Sequence, residues 1–199
     1  MAFRKKWIMS TRTERPIVIR IAYIGMMAAI IFIGNYFRIP FMGTKLTVVN
    51  AFCVLAGLLF GAVDGFWAAG IGSFLFDVIS GYGLESIITF VSKGAIALIA
   101  GVIAFSASKD SAVRIDAKRV RIRVILASVL GSFTYVALYM LKTLIMGPTV
   151  RGLTMEGTAA SMISKFPGSC INAIFASIVA PILYGVLLPA LRHAGLLKD

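Results

Sequence analysis

The 199-residue chain is 59% hydrophobic and 14% charged, with a mean hydropathy of +0.94, whereas soluble domains hold roughly 45–50% apolar and about 25% charged residues. No water-soluble fold hides that much apolar surface, and the chain reads as an all-α membrane protein. Its formal charge of +12 would point to nucleic acid on a soluble domain, so the placement of the basic residues decides that question.

A hydrocarbon layer roughly 30 Å thick takes about 20 mostly apolar residues to cross as helix, because every backbone N–H and C=O must be satisfied within the segment. Six such runs predict one six-helix transmembrane bundle over residues 1–199. The first, 16–37, is broken only by Arg20, and a loop with Pro40 and Gly43 follows it. The second, 46–63, carries no charge and turns through Gly61 and Asp64 into the third, 65–80, which holds Asp77 near its end. The fourth, 86–108, contains Lys93, and the fifth, 124–146, contains Lys142. The sixth, 158–191, contains Lys165 and three prolines and is long enough to tilt or project. Cys53 and Cys170 fall inside spans at no metal or redox spacing and are assigned no role.

The basic residues follow these spans. Arg4, Lys5, Lys6, Arg12 and Arg15 precede the first, and Lys109, Arg114, Lys118, Arg119, Arg121 and Arg123 separate the fourth from the fifth. Arg192 and Lys198 close the chain, while the opposite side has only Arg38, Lys45 and Arg151. The positive-inside rule therefore places both termini in the cytoplasm, and topology in a lipid bilayer accounts for the charge without a nucleic-acid partner. The first run lacks a small-x-small cleavage site and is expected to be retained.

Small residues recur at helical spacing twice. Gly57, Gly61, Gly65, Ala69 and Ser73 read as internal packing, since in lipid close backbone approach drives helix association. Ala22, Gly25 and Ala29 on the first helix read either as packing or as a docking face for another membrane subunit.

Ionisable groups within spans are expensive and mark function by default. Spacings of three and four align Glu85, Thr89 and Lys93 on the fourth helix, Tyr135, Tyr139 and Lys142 on the fifth, and Lys165, Ser169 and Asn172 on the sixth. All lie in the outer half and predict one outward-facing pocket, with Asn50, Asp77, Tyr82, Phe90, Phe41 and Met42 supplying further walls. Arg20, in the inner half, is expected to snorkel. The competing reading has the lysines pair with Asp77 and Glu85 and hold the bundle together. Three lysines against those two carboxylates leave one positive charge, which predicts a carboxylate-bearing ligand with Lys93 as its first contact.

No Gly-rich phosphate loop and no His/Cys metal spacing occurs, so no cofactor is expected and ATP-driven transport would draw its energy from partners. A stand-alone secondary transporter or channel stays open. So does an intramembrane enzyme in which a lysine activates Ser161 or Ser169.

The six spans, the loop Arg38-Ile-Pro-Phe-Met-Gly, the run Asn50 to Gly61 continuing to Ser73-Phe-Leu-Phe-Asp77, Thr89-Phe-Val-Ser-Lys93-Gly and Phe166-Pro-Gly-Ser-Cys-Ile-Asn172 together resemble the S components of energy-coupling factor (ECF) vitamin importers. The resemblance covers nearly the whole chain. It implies a subunit that binds a vitamin outside the cell and associates with a membrane coupling subunit and two cytoplasmic ATPases. It also implies a docking face of the form Ala-x-x-x-Ala on helix one, for which Gly25-Met-Met-Ala-Ala29 is the nearest match. Among vitamins carried by that family, the charge surplus favours pantothenate over the neutral riboflavin, pyridoxine or hydroxymethylpyrimidine.

Overall fold

The computed structural model describes residues 17–41, 44–105, 117–149 and 152–193. The N-terminal basic residues, Met42, Lys109, Arg114, Arg151 and Lys198 lie outside the described residues. In chain order the elements are α1 (Ile17–Gly34), β1 (Arg38–Phe41), β2 (Thr44–Thr47), α2 (Val49–Phe60), α3 (Ala62–Ile79), α4 (Glu85–Phe105), α5 (Ala117–Thr149) and α6 (Met155–His193).

Among the described residues, five of the six helices are long and apolar enough to cross a membrane. Large apolar side chains are exposed along each of them, including Ile21 and Ile33 on α1, Leu75 on α3, Val91 on α4, Phe133 on α5 and Phe175 and Ile178 on α6. That is the reverse of a soluble surface and suits a lipid solvent.

The exception is α2. The predicted span 46–63 loses its first two residues to β2 and ends at Gly61, whose φ of 82° breaks the helix after Phe60. Glycine adopts that left-handed conformation without steric penalty. The remaining twelve residues reach only about 18 Å. All of them except Phe52 are buried, and α2 touches each of the other five helices, so it forms the centre of the bundle.

Contacts at both ends of α1 and α3 fix how these helices run. Arg20, near the start of α1, donates two hydrogen bonds to Asp64 at the start of α3, at 2.6 and 3.2 Å. At the other end, Tyr36 and Phe76 meet edge to face with centroids 4.9 Å apart, and the Arg38 guanidinium lies 4.0 Å from the Phe76 ring centre. Helices α1 and α3 thus run parallel, and the hairpin together with α2 carries the chain back between them. Arg20 is therefore a structural ion-pair partner and does not simply snorkel.

The loop expected after α1 is a β-hairpin pairing Arg38 with Thr47 and Phe41 with Thr44. Its ladder satisfies backbone groups that an irregular loop at the membrane edge would leave open. With Phe41 and Thr44 the innermost pair, two residues lying between them in sequence, Pro40 and Lys45 fall at a non-hydrogen-bonded pair, where proline's missing N–H is harmless.

The glycine stripe of α2 and α3 packs internally. A Cβ on Gly65 would approach Gly57 Cα to 2.8 Å, and Ala69 is fully buried. Helix α5 begins earlier than its apolar run, at Ala117, so Arg121 and Arg123 ride on it. Helix α6 continues through Pro167, Pro181 and Pro189, and its 39 residues span about 58 Å.

Candidate ligand cavity

Beside the hairpin, a cavity of about 630 Å³ is lined from almost every element. The hairpin contributes Pro40, Phe41, Thr44, Lys45 and Thr47, and the end of α3 contributes Asp77. Thr89, Ser92 and Lys93 come from α4, Tyr135, Tyr139 and Lys142 from α5, and Lys165 from α6. Asn35, Arg38, Tyr82 and Glu85 complete the wall. The volume lies within the roughly 300–1,000 Å³ of small-molecule sites.

The helical spacings explain the α4 and α5 walls. Thr89 and Lys93 are one turn apart, as are Tyr135 and Tyr139, whose rings stack at 5.5 Å. The Lys93 ammonium donates to Asn50 Oδ1 and sits 4.8 Å from the centre of the Tyr135 ring. Both partners are uncharged, and among the described residues no carboxylate lies within salt-bridge distance of it. The other charges are partly matched. Lys142 Nζ lies 2.9 Å from Glu85 Oε2, and an Arg38 nitrogen lies 3.8 Å from Asp77 Oδ1 and 2.5 Å from Asn35 Oδ1. Lys45 donates to the Tyr82 hydroxyl at 2.7 Å, joining the hairpin to the segment between α3 and α4. Five cationic side chains face two carboxylates in this lining.

Of the described residues expected at the site, Phe41, Asp77, Tyr82, Glu85, Thr89, Lys93, Tyr135, Tyr139, Lys142 and Lys165 line the cavity, and four do not. Asn50 is fully buried behind Lys93. Ser169 bonds back to the Lys165 carbonyl of its own helix at 2.9 Å. Phe90 turns toward α3, where it meets Phe66, Trp67 and Phe74 edge to face and covers Gly70. Asn172 holds the hairpin from behind: its Oδ1 accepts from the Thr47 N–H at 2.9 Å and its Nδ2 donates to the Lys45 carbonyl at 2.8 Å. Asn35 and Thr44 were not anticipated, and Arg38 and Lys45 were read only as sparse loop charge. On α1, Ala22, Gly25 and Ala29 are exposed, and an added Cβ on Gly25 would meet nothing within 4 Å.

A lipid-facing helical bundle that encloses a solute-sized, cation-rich cavity beneath a hairpin defines a multi-pass membrane protein built to hold a small polar molecule. Residues 17–188 match the family described as "ECF-type riboflavin transporter, S component". The chain belongs to that family: it is an S component, a substrate-binding transport subunit, and not an enzyme. A solved structure titled "Structure and mechanism of the S component of a bacterial ECF transporter" shares the fold with a TM-score of 0.59 at 18% identity, over 89% of this chain and 99% of that one. No curated protein matches the chain.

Proposed function

We propose that this S component captures a small carboxylate-bearing vitamin from outside the cell, with pantothenate the first candidate. The observation that carries this is Lys93, a cation set into the cavity wall against an amide oxygen and an aromatic face, with no carboxylate partner among the described residues. A bound carboxylate would supply the charge-assisted bond that these neutral contacts lack.

The family description favours a second substrate, riboflavin. The stacked Tyr135–Tyr139 pair at the cavity wall suits a flat ring system as well.

In this reading the chain is one bundle whose crossings leave both termini cytoplasmic, as the basic residues indicate. It assembles with a membrane coupling subunit and two cytoplasmic ATPases. The exposed Ala22–Gly25–Ala29 stripe is the proposed docking face, since small residues permit close helix approach. Reconstitution tests the division of labour. Liposomes carrying the chain alone should bind vitamin without concentrating it, and ATP-dependent uptake should appear only with the coupling subunit and both ATPases. Uphill uptake by the chain alone on an ion gradient would make it a secondary transporter instead.

A further inference from the structure

The outer edge of the hairpin is completed by a side chain. Lys45 and Thr47 both occupy non-hydrogen-bonded pairs with β1, so the Lys45 carbonyl and the Thr47 N–H point away from that strand. On a bare edge they would be open. Instead the Asn172 amide takes both, donating to Lys45 at 2.8 Å and accepting from Thr47 at 2.9 Å. One carboxamide thus makes the pair of bonds that the N–H and C=O of one residue on a third, parallel strand would make. Asn172 is 2% exposed, so water does not compete for them.

A second contact lies one turn earlier on the same face of α6. A Cβ at Gly168 would overlap the Thr44 methyl and stand 3.4 Å from the Phe41 ring, so the bare backbone there seats the hairpin tip. Tip and edge are both fastened to α6, and the residues between them form the cavity wall.

We propose that Asn172 is a positioning residue: by clasping β2 to α6 it holds the hairpin against the cavity and sets how long a ligand stays. The residence-time part rests on the vitamin-binding reading, whereas the clasp stands on the two hydrogen bonds alone.

The test replaces Asn172 with Asp, which keeps the shape and exchanges the amide donor for an ionisable oxygen. As a carboxylate it can accept from Thr47 but confronts the Lys45 carbonyl with a second acceptor. Protonated, its O–H donates and both bonds return. Hydrogen exchange of the 38–47 peptide, corrected for the intrinsic pH dependence of exchange, reads the clasp in purified protein without ligand. Dissociation rates of radiolabelled pantothenate and of riboflavin read residence. Loss of the Lys45 bond and the clash of acceptors should speed both on the order of tenfold at about pH 8, with return toward wild type at about pH 5, because a carboxyl buried at this position favours its neutral form. Wild type and Asn172→Leu should show no such recovery. Hairpin exchange unchanged in Asn172→Asp and Asn172→Leu would overturn the clasp. Faster exchange with unchanged dissociation would overturn its role in residence. If wild type binds neither vitamin, the vitamin reading fails, and the exchange measurement still decides the clasp.

Discussion

The Lys142 ammonium lies 2.9 Å from a Glu85 carboxylate oxygen, so α5 and α4 are joined at the cavity wall and one lysine of the site is compensated before a ligand arrives. Both side chains are largely shielded, at 16% and 23% exposure, which places the pair between a surface salt bridge and a buried one. Removing either partner costs the other this charge-assisted contact. Lys142→Met and Glu85→Gln should each destabilise the protein by roughly 1–3 kcal/mol, and the double variant by less than their sum. Thermal unfolding of the four proteins in detergent measures the coupling, and strictly additive losses would show that the pair contributes nothing.

The same pair separates two readings of the polar stripes. A purely structural reading matches every lysine with a carboxylate, and Lys142 fits it. Lys93 does not, since its contacts are Asn50 and the Tyr135 ring.

Two glycines on neighbouring helices should differ in their response to an added methyl group. At Gly65 the new Cβ would stand 2.8 Å from Gly57 Cα, backbone against backbone, whereas at Gly25 it would meet nothing within 4 Å. Gly65→Ala is expected to destabilise the bundle by about 1–3 kcal/mol and Gly25→Ala by well under 1 kcal/mol. Melting temperatures in detergent check both. Ala29→Trp, on the exposed face of α1, should preserve folding and ligand binding yet prevent co-purification with the coupling subunit. Loss of binding in that variant would instead assign the stripe to internal packing.

Topology is open to direct labelling. In a background with Cys53 and Cys170 replaced by Ala, a cysteine at Leu84, exposed between α3 and α4, should react with an impermeant maleimide on intact cells. One at Ala112, between Lys109 and Arg114 and ahead of the basic start of α5, should react only after permeabilisation. The opposite pattern would invert the orientation and, with it, the side from which the cavity fills.

Much of the architecture was legible because lipid imposes a simple code. Long apolar runs bounded by charge become helices, and polar residues three or four apart share a face. Thr89 with Lys93 and Tyr139 with Lys142 were found in this way, and the structure brings them to one cavity. Phe90, expected as a further wall, lies outside that stripe: one position from Thr89 turns it about 100° around the helix, and its ring joins the aromatic cluster on α3. The hairpin was hidden because helical periodicity says nothing about a ten-residue connection, and Pro40 and Gly43 read as loop. The β-branched Thr44, Thr47 and Val48 after a glycine were the available signal. With the hairpin missed, Arg38 and Lys45 were not counted among the site's cations. Asn172 was assigned to the ligand when its partners are backbone groups of β2. The turn at Gly61 is legible, but the shortness of α2 is not, because an unbroken apolar run does not reveal that its first residues pair as β2.

The central claim is that the cavity holds an anionic vitamin against Lys93. Calorimetric titration of the purified chain, without nucleotide or partner subunits, tests it most directly when wild type and Lys93→Met are each titrated with pantothenate and with riboflavin. The account predicts one-to-one binding of pantothenate to wild type, weakened by roughly 2–5 kcal/mol in Lys93→Met, as for a buried charge pair that loses one partner. Riboflavin, which has no carboxylate, should bind wild type more weakly and change little on the substitution. Tight binding of riboflavin alone, or pantothenate affinity indifferent to Lys93, would contradict it.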